Sequence, residues 1–283
     1  MSAPTPPTLE QVADAVAEVP ALSLTVQRVM DACSDGATDA RTVSEMILAD
    51  QGLTANVLKL ANSAYYGLPR RVTTVTDAVV LMGMSTVRSL AVSSHTSQLL
   101  SRPLPGYAMA RGDLWRHSLA VAFVSRRLAA ESGVAPVEEA FVAGLLHDLG
   151  KVVLSDFLGD AFDELTLTAH RHRTPLHVAE RGMLGFDHAD LGARIAAAWR
   201  FPAPLVEAIG LHHRPFDATV APALAHTVSV ADTACLMVTA GADPESVPLA
   251  VDPASLDAAG ITRERLVVLI AEFEPLITAP ESE

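Results

Sequence analysis

The nine residues Ala143-Gly144-Leu145-Leu146-His147-Asp148-Leu149-Gly150-Lys151 set a polar pair at the end of an apolar run. From Phe141 to Leu146 the chain is almost wholly apolar, which predicts a helix buried on most sides. That helix closes on an imidazole beside a carboxylate, with Gly150 as its expected C-terminal stop. Both groups need partners there, because an unpaired buried charge is expensive. Alone, the pair fits a hydrogen-bonded core histidine with a structural aspartate. Similar residues lie outward from it. His117 follows Leu114-Trp115-Arg116, on a helix with Leu114, Val121 and Val124 along its apolar side. His188 opens a helix after Gly185-Phe186-Asp187, His212 and His213 end another, and Asp232 sits mid-helix among small and apolar neighbours. Imidazole with carboxylate and without cysteine is a donor set suited to a divalent metal such as Fe, Mn, Zn or Mg.

The same helical grammar runs through the rest of the chain. Thr42 with Glu45 predicts a capping box, Thr54 and Thr76 predict N-caps, and Gly83 predicts a stop before a helix beginning at Ser85. Further starts are expected at Asp113, Val137-Glu138-Glu139, Thr174-Pro175, Asp187 and Thr262. β-Branched runs such as Val72–Val75 do not alternate long enough to require a sheet. The expected fold is all-α, in two packed helical bundles. A proline-rich tail is expected over residues 1–8, and an N-terminal helical subdomain over 9–105. A second helical subdomain should span 106–240, followed by a linker and C-terminal helix over 241–283. The break at Ser101–Gly106 leaves His95 on one side and nine of the ten histidines on the other.

Composition narrows the function classes. Over 283 residues, 50% hydrophobic and 19% charged content argues against disorder for most of the chain. A net charge of −13 disfavours non-specific nucleic-acid binding, and a helical DNA-binding regulator with it. Apolar runs such as Ala140–Leu146 stop well short of the roughly 20 residues that cross a bilayer, and no basic segment before an apolar core suggests a secretory signal. Two cysteines, Cys33 and Cys235, read as buried thiols of a reducing compartment. A cytoplasmic protein that binds neither membrane nor nucleic acid is expected.

The order His117, His147-Asp148, His188, His212-His213, Asp232 resembles the HD superfamily of metal-dependent phosphohydrolases. Longer phrases narrow the likeness: Leu114-Trp115-Arg116-His117-Ser118, Gly144-Leu145-Leu146-His147-Asp148-Leu149-Gly150-Lys151 and Gly185-Phe186-Asp187-His188-Ala189-Asp190-Leu191-Gly192. The N-terminal half adds Ala49-Asp50-Gln51-Gly52-Leu53-Thr54 and Leu60-Ala61-Asn62-Ser63-Ala64-Tyr65-Tyr66-Gly67. Together they resemble the HDOD family, the HD-related output domain of bacterial signalling proteins. The resemblance implies an HD-like C-terminal bundle holding one or two divalent ions. His117, His147, Asp148 and Asp232 are the ligands it implies for the first ion, and His188 and His212 for the second. Asp148 and Lys151 are the candidate catalytic residues, although a lysine just past a helix end is also an ordinary solvated partner of that end. The cyclic di-GMP phosphodiesterases of the superfamily carry a Gly-Tyr-Pro signature after their histidine pair. Here Arg214-Pro215-Phe216 follows instead.

Two functions of different class follow. One is a regulatory output module that acts through a signalling protein or a nucleotide ligand, with its input arriving in trans. The other is a metal-dependent phosphohydrolase acting on a nucleotide or phosphoester. The N-terminal half has no cluster of candidate acids, bases or nucleophiles, which favours the module. Asn62, Tyr65 and Tyr66 are its expected partner-binding residues, with a helix cap (Asn62) and bundle packing as their plainer roles. His170, His172 and His177 lie in a polar stretch and are expected to be exposed. Arg70-Arg71 and Arg126-Arg127 are expected to be solvated.

Overall fold

Apolar residues at helical spacing, punctuated by side-chain caps, make helices almost throughout. A computed structural model describes residues 9–34, 37–63, 66–68, 70–158, 162–172 and 174–278, so the expected tail over 1–8 lies outside the described residues. The first helices are α1 (Leu9–Glu18), α2 (Leu24–Ser34), α3 (Ala40–Leu48), α4 (Gln51–Ala61), α5 (Val75–Met82) and α6 (Met84–Leu100). After a 3-10 turn at Pro105–Tyr107 come α7 (Asp113–Ser132), α8 (Val137–Leu146), α9 (Gly150–Leu158), α10 (Phe162–His172), α11 (Leu176–Leu184) and α12 (His188–Ala198). The remainder are α13 (Ala203–Gly210), α14 (Pro222–Thr239), α15 (Val247–Ala250), α16 (Pro253–Ala258) and α17 (Arg263–Thr278). The fold is all-α. Among the described residues, β pairing is confined to one bridge between Leu104 and Met109, and no helix is long and apolar enough to cross a membrane.

The chain forms two compact units. One is Ala21–Leu99; the other joins α1 to the chain from Leu100 onward. The sequence places α1 with the N-terminal bundle, but it packs against α12, and its apolar face is led by the buried Val12. In the smaller unit α3 touches α2, α4 and α5, and Val29, Val43, Ile47, Val57 and Ala78 have no exposed surface. In the larger unit α7 lies against α8 and α14, and α12 against α9 and α13. Val121 and Leu128 of α7, Val230 and Ala234 of α14, and Leu266 and Ile270 of α17 form one buried cluster.

Several helix starts differ from the sequence reading. Asp39, not Thr42, caps α3; Asp50, not Thr54, caps α4; and Thr74, not Thr76, caps α5. In each case the side chain that reaches an unsatisfied first-turn N–H lies earlier in the chain. Thr54 instead donates its hydroxyl to the Ile47 carbonyl. Gly150 is not a helix stop either. It opens α9, and a Cβ there would lie 1.8 Å from the His188 carbonyl oxygen and 2.7 Å from the Gly192 nitrogen. The missing side chain is what lets α9 and α12 meet.

Candidate metal centre

Five helices of the larger unit deliver the polar residues to one place. α7 is buried along Leu114, Val121 and Val124, which turns His117 inward. α8, apolar on nearly all sides, ends by presenting His147 and Asp148 in a tight turn, in which Leu149 N–H donates to the Leu146 carbonyl and Lys151 N–H to that of Asp148. Asp187 caps α12 through a reciprocal capping box with Asp190, and that fixes His188 at the first helical position. His212 and His213 follow α13, and Asp232 sits midway along α14.

The groups lie close together. His117 Nε2 is 3.1 Å from Asp232 Oδ1 and 3.6 Å from Asp148 Oδ2. His147 Nε2 is 3.4 Å from Asp148 Oδ2 and 3.5 Å from Asp232 Oδ1. His188 Nε2 is 3.1 Å from Asp148 Oδ1, and the His212 ring centroid lies 4.9 Å from that of His147. The structure thus brings together all six residues the sequence singles out as ligands. Donor atoms bound to one divalent ion at about 2.0–2.2 Å stand about 2.8–3.5 Å from each other, so most of these spacings suit ligands around an ion.

The tautomers point the same way. His147 Nδ1 donates to the Gly144 carbonyl and His212 Nδ1 to that of Ile209, each at 2.7 Å. Each histidine uses a carbonyl left open at its own helix end. That leaves the two Nε2 atoms, and both are buried without a hydrogen-bond partner. A buried ring nitrogen without a partner costs free energy that a cation would recover, and a backbone carbonyl on Nδ1 is the usual support of a ligating histidine. The residues fit a divalent metal.

Charge is balanced within the pocket. Burial works to lower the His147 pKa, but Asp148 and Asp232 outweigh it and raise it to about 10. Burial likewise opposes protonation of His188, yet Glu180 and Asp148 lift it to about 9. Burial, with His147 and His188 adding to it, pushes His212 down to about 3, and burial also pushes His213 down. Against their own burial, Asp148 and Asp232 are held well below the usual carboxylate range by the imidazoles, with Lys151 also acting on Asp148. A proton and a cation therefore compete for the same Nε2 atoms.

Two supporting residues, Glu180 and His177, escaped the sequence reading, whereas His213 reads in the sequence as either orienting a ligand or lying in solvent. Glu180, fully buried on α11, accepts from both the backbone N–H and Nδ1 of His188, at 2.9 and 2.7 Å, and from the Tyr107 hydroxyl at 2.9 Å. His213 Nε2 lies 3.0 Å from His188 Nε2. His177, expected to be exposed, is half-buried with its ring stacked on His213 at 3.9 Å, because α11 turns it toward the end of α13. His172 is exposed as expected, and the His170 side chain lies outside the described residues. Lys151 is not a solvated partner of the helix end: Nζ donates to Asp148 Oδ2 at 2.6 Å, 5.7 Å from the Tyr107 ring centroid.

The N-terminal candidates lie in the other unit. Asn62 Nδ2 donates to the carbonyls of Leu58 and Val72, and its Oδ1 accepts from Val72 N–H, each at 2.7 Å. The side chain is thus a clamp on its own loop. Tyr66 is half-buried, its backbone N–H donating to Ser63, while Tyr65 lies outside the described residues.

A family model described as HDOD domain matches residues 19–215. A crystal structure from Shewanella amazonensis SB2B, provisionally named a phosphohydrolase, is 26% identical, covers 94% of this chain and 96% of its own, and superposes with a TM-score of 0.75. An HDOD domain protein of unknown function from Geobacter sulfurreducens is 24% identical with a TM-score of 0.76, covering 94% of this chain and 93% of its own. An uncharacterised protein of Treponema pallidum (strain Nichols) is 27% identical over 203 residues, which are 71% of this chain but only 39% of that protein.

Proposed function

We propose, since the chain belongs to the HDOD domain family, that it is a cytoplasmic signal-transduction output module built around a divalent-metal site. It acts through a signalling protein or a nucleotide ligand. His117, His147, Asp148 and Asp232 would hold one ion, and His188 and His212, with His213 beside them, a second. The carrying observation is the pair of buried Nε2 atoms, on His147 and His212, whose Nδ1 partners are fixed and which face carboxylates and imidazoles. A divalent ion bound there supplies Lewis acidity, polarising a phosphoryl oxygen or lowering the pKa of water. Burial favours the module: His147, Asp148, His188, His212 and Asp232 expose at most 5% of their surface. Such a site suits an ion better than a large phosphoester. Lys151, held beside Asp148, supports the second reading, a phosphohydrolase with Asp148 and Lys151 at its centre.

Metal analysis of the purified protein tests the proposal. One or two divalent ions per chain are expected, with none in His147→Gln, Asp148→Asn or Asp232→Asn. A wild-type protein that neither retains metal nor gains thermal stability from added Mn, Fe or Zn would sink it. Metal-dependent hydrolysis of a nucleotide or p-nitrophenyl ester, abolished by Asp148→Asn, would replace the module with the enzyme.

A further inference from the structure

A cavity of about 950 Å³ opens in the Ala21–Leu99 unit, between the end of α4 and the loop that follows it. Its size falls within the range of small-molecule sites. Lys59, Arg70 and Arg71 line it, all three exposed, and among the described residues no carboxylate does. Ala21–Leu99 carries six Lys and Arg against six Asp and Glu, so the whole net charge of −13 lies outside this unit. Three clustered cations on a locally neutral unit of an acidic protein mark a place for a concentrated anion.

The rest of the cavity has a different character. Leu58, Leu68 and Val72 give it apolar wall, a surface that suits a flat ring. Ser63 Oγ is buried there without a hydrogen-bond partner. Asn62 holds Val72 against α4 through both its N–H and its carbonyl, and Gly67, at φ +54°, supplies a left-handed turn that other residues adopt at a cost. Part of the binding surface is therefore formed in advance.

We propose that this cavity binds a nucleotide, with its phosphates among Lys59, Arg70 and Arg71 and its base against Leu58, Leu68 and Val72. Ser63 Oγ would meet a polar group of the sugar or base. The inference deepens the reading of the chain as a nucleotide-responsive module, and it concerns a site in a different unit from the candidate metal centre.

Calorimetric titration of the full-length protein with ATP, GTP, CTP and UTP tests it, with tripolyphosphate and the free nucleosides as separate arms. At least one nucleotide should bind, more tightly than tripolyphosphate and far more tightly than its nucleoside, and more weakly as salt is raised. Arg70→Glu/Arg71→Glu should weaken binding by tenfold or more, with unchanged circular dichroism and metal content. Lys59→Gln, a milder change, should weaken it by a smaller factor. The inference is overturned if no nucleotide binds at millimolar concentration, if tripolyphosphate binds as tightly, or if neither variant alters the affinity. Metal content measured on the same samples keeps its failure separate from failure of the metal reading.

Discussion

Asp148 uses both carboxylate oxygens, Oδ1 toward His188 and Oδ2 toward His117, His147 and Lys151. Its neighbours set a pH dependence for the metal-free protein. His147 and His188 rise from an ordinary 6.5 to about 10 and about 9, so the stability they contribute is complete below pH 6.5 and is lost as pH rises through those values. Asp148 and Asp232 act oppositely, contributing above the ordinary 3.8 and failing only in stronger acid. His212, depressed to about 3, costs stability as pH falls below 6.5. Thermal unfolding of chelator-treated protein should therefore move down by several degrees between pH 7 and pH 10, while the metal-loaded protein moves less. A metal-free midpoint that rises over that range would contradict the assignment. The six ligand candidates were legible because each is a histidine or aspartate in an apolar helix or at a helix end, where a partner is required. Glu180 was not, because Leu176–Leu184 looks like an ordinary amphipathic helix and only packing buries that carboxylate. His177 was missed for the same reason, its polar neighbours in sequence not being its neighbours in space.

Helices set the precision of the site through where they start and where they cross. The all-α architecture could be read from spacing and punctuation, whereas the particular cap could not. Asp39 and Thr42, or Asp50 and Thr54, are competent caps a few residues apart, and the choice falls to the one whose oxygen meets a free N–H. Gly150 shows the limit more sharply. A glycine after an apolar helix is an ordinary stop signal, but here it answers to α12, which is distant in sequence. Gly150→Ala would drive a methyl group into the His188 backbone, which cannot rotate aside as a side chain would. A loss of about 3 kcal/mol or more is expected in urea unfolding, together with lower metal content, since His188 must shift. Stability and metal content equal to wild type would mean that the crossing of α9 and α12 is looser than the structure shows.

Across the whole molecule, the candidate ligands all belong to the larger unit, and Ala21–Leu99 contributes none. A ligand that binds only the folded state stabilises what it binds, by about 2.7 kcal/mol at a hundredfold excess over Kd. Calorimetry should accordingly resolve two unfolding transitions, of which a chelator lowers only one. Equal displacement of both would tie the smaller unit to the metal. That α1 belongs with the larger unit was hidden in the sequence, because an amphipathic helix declares that it has an apolar face and not which surface will cover it. The near-complete enclosure of the ligands also has a consequence in time. His147, Asp148, His188, His212 and Asp232 expose at most 5% of their surface, so an ion held among them would have little open path to solvent. Exchange with solvent would then wait for the packing around the site to open, so an ion taken up during folding would leave slowly, and the metal supply at synthesis would set which ion each copy carries.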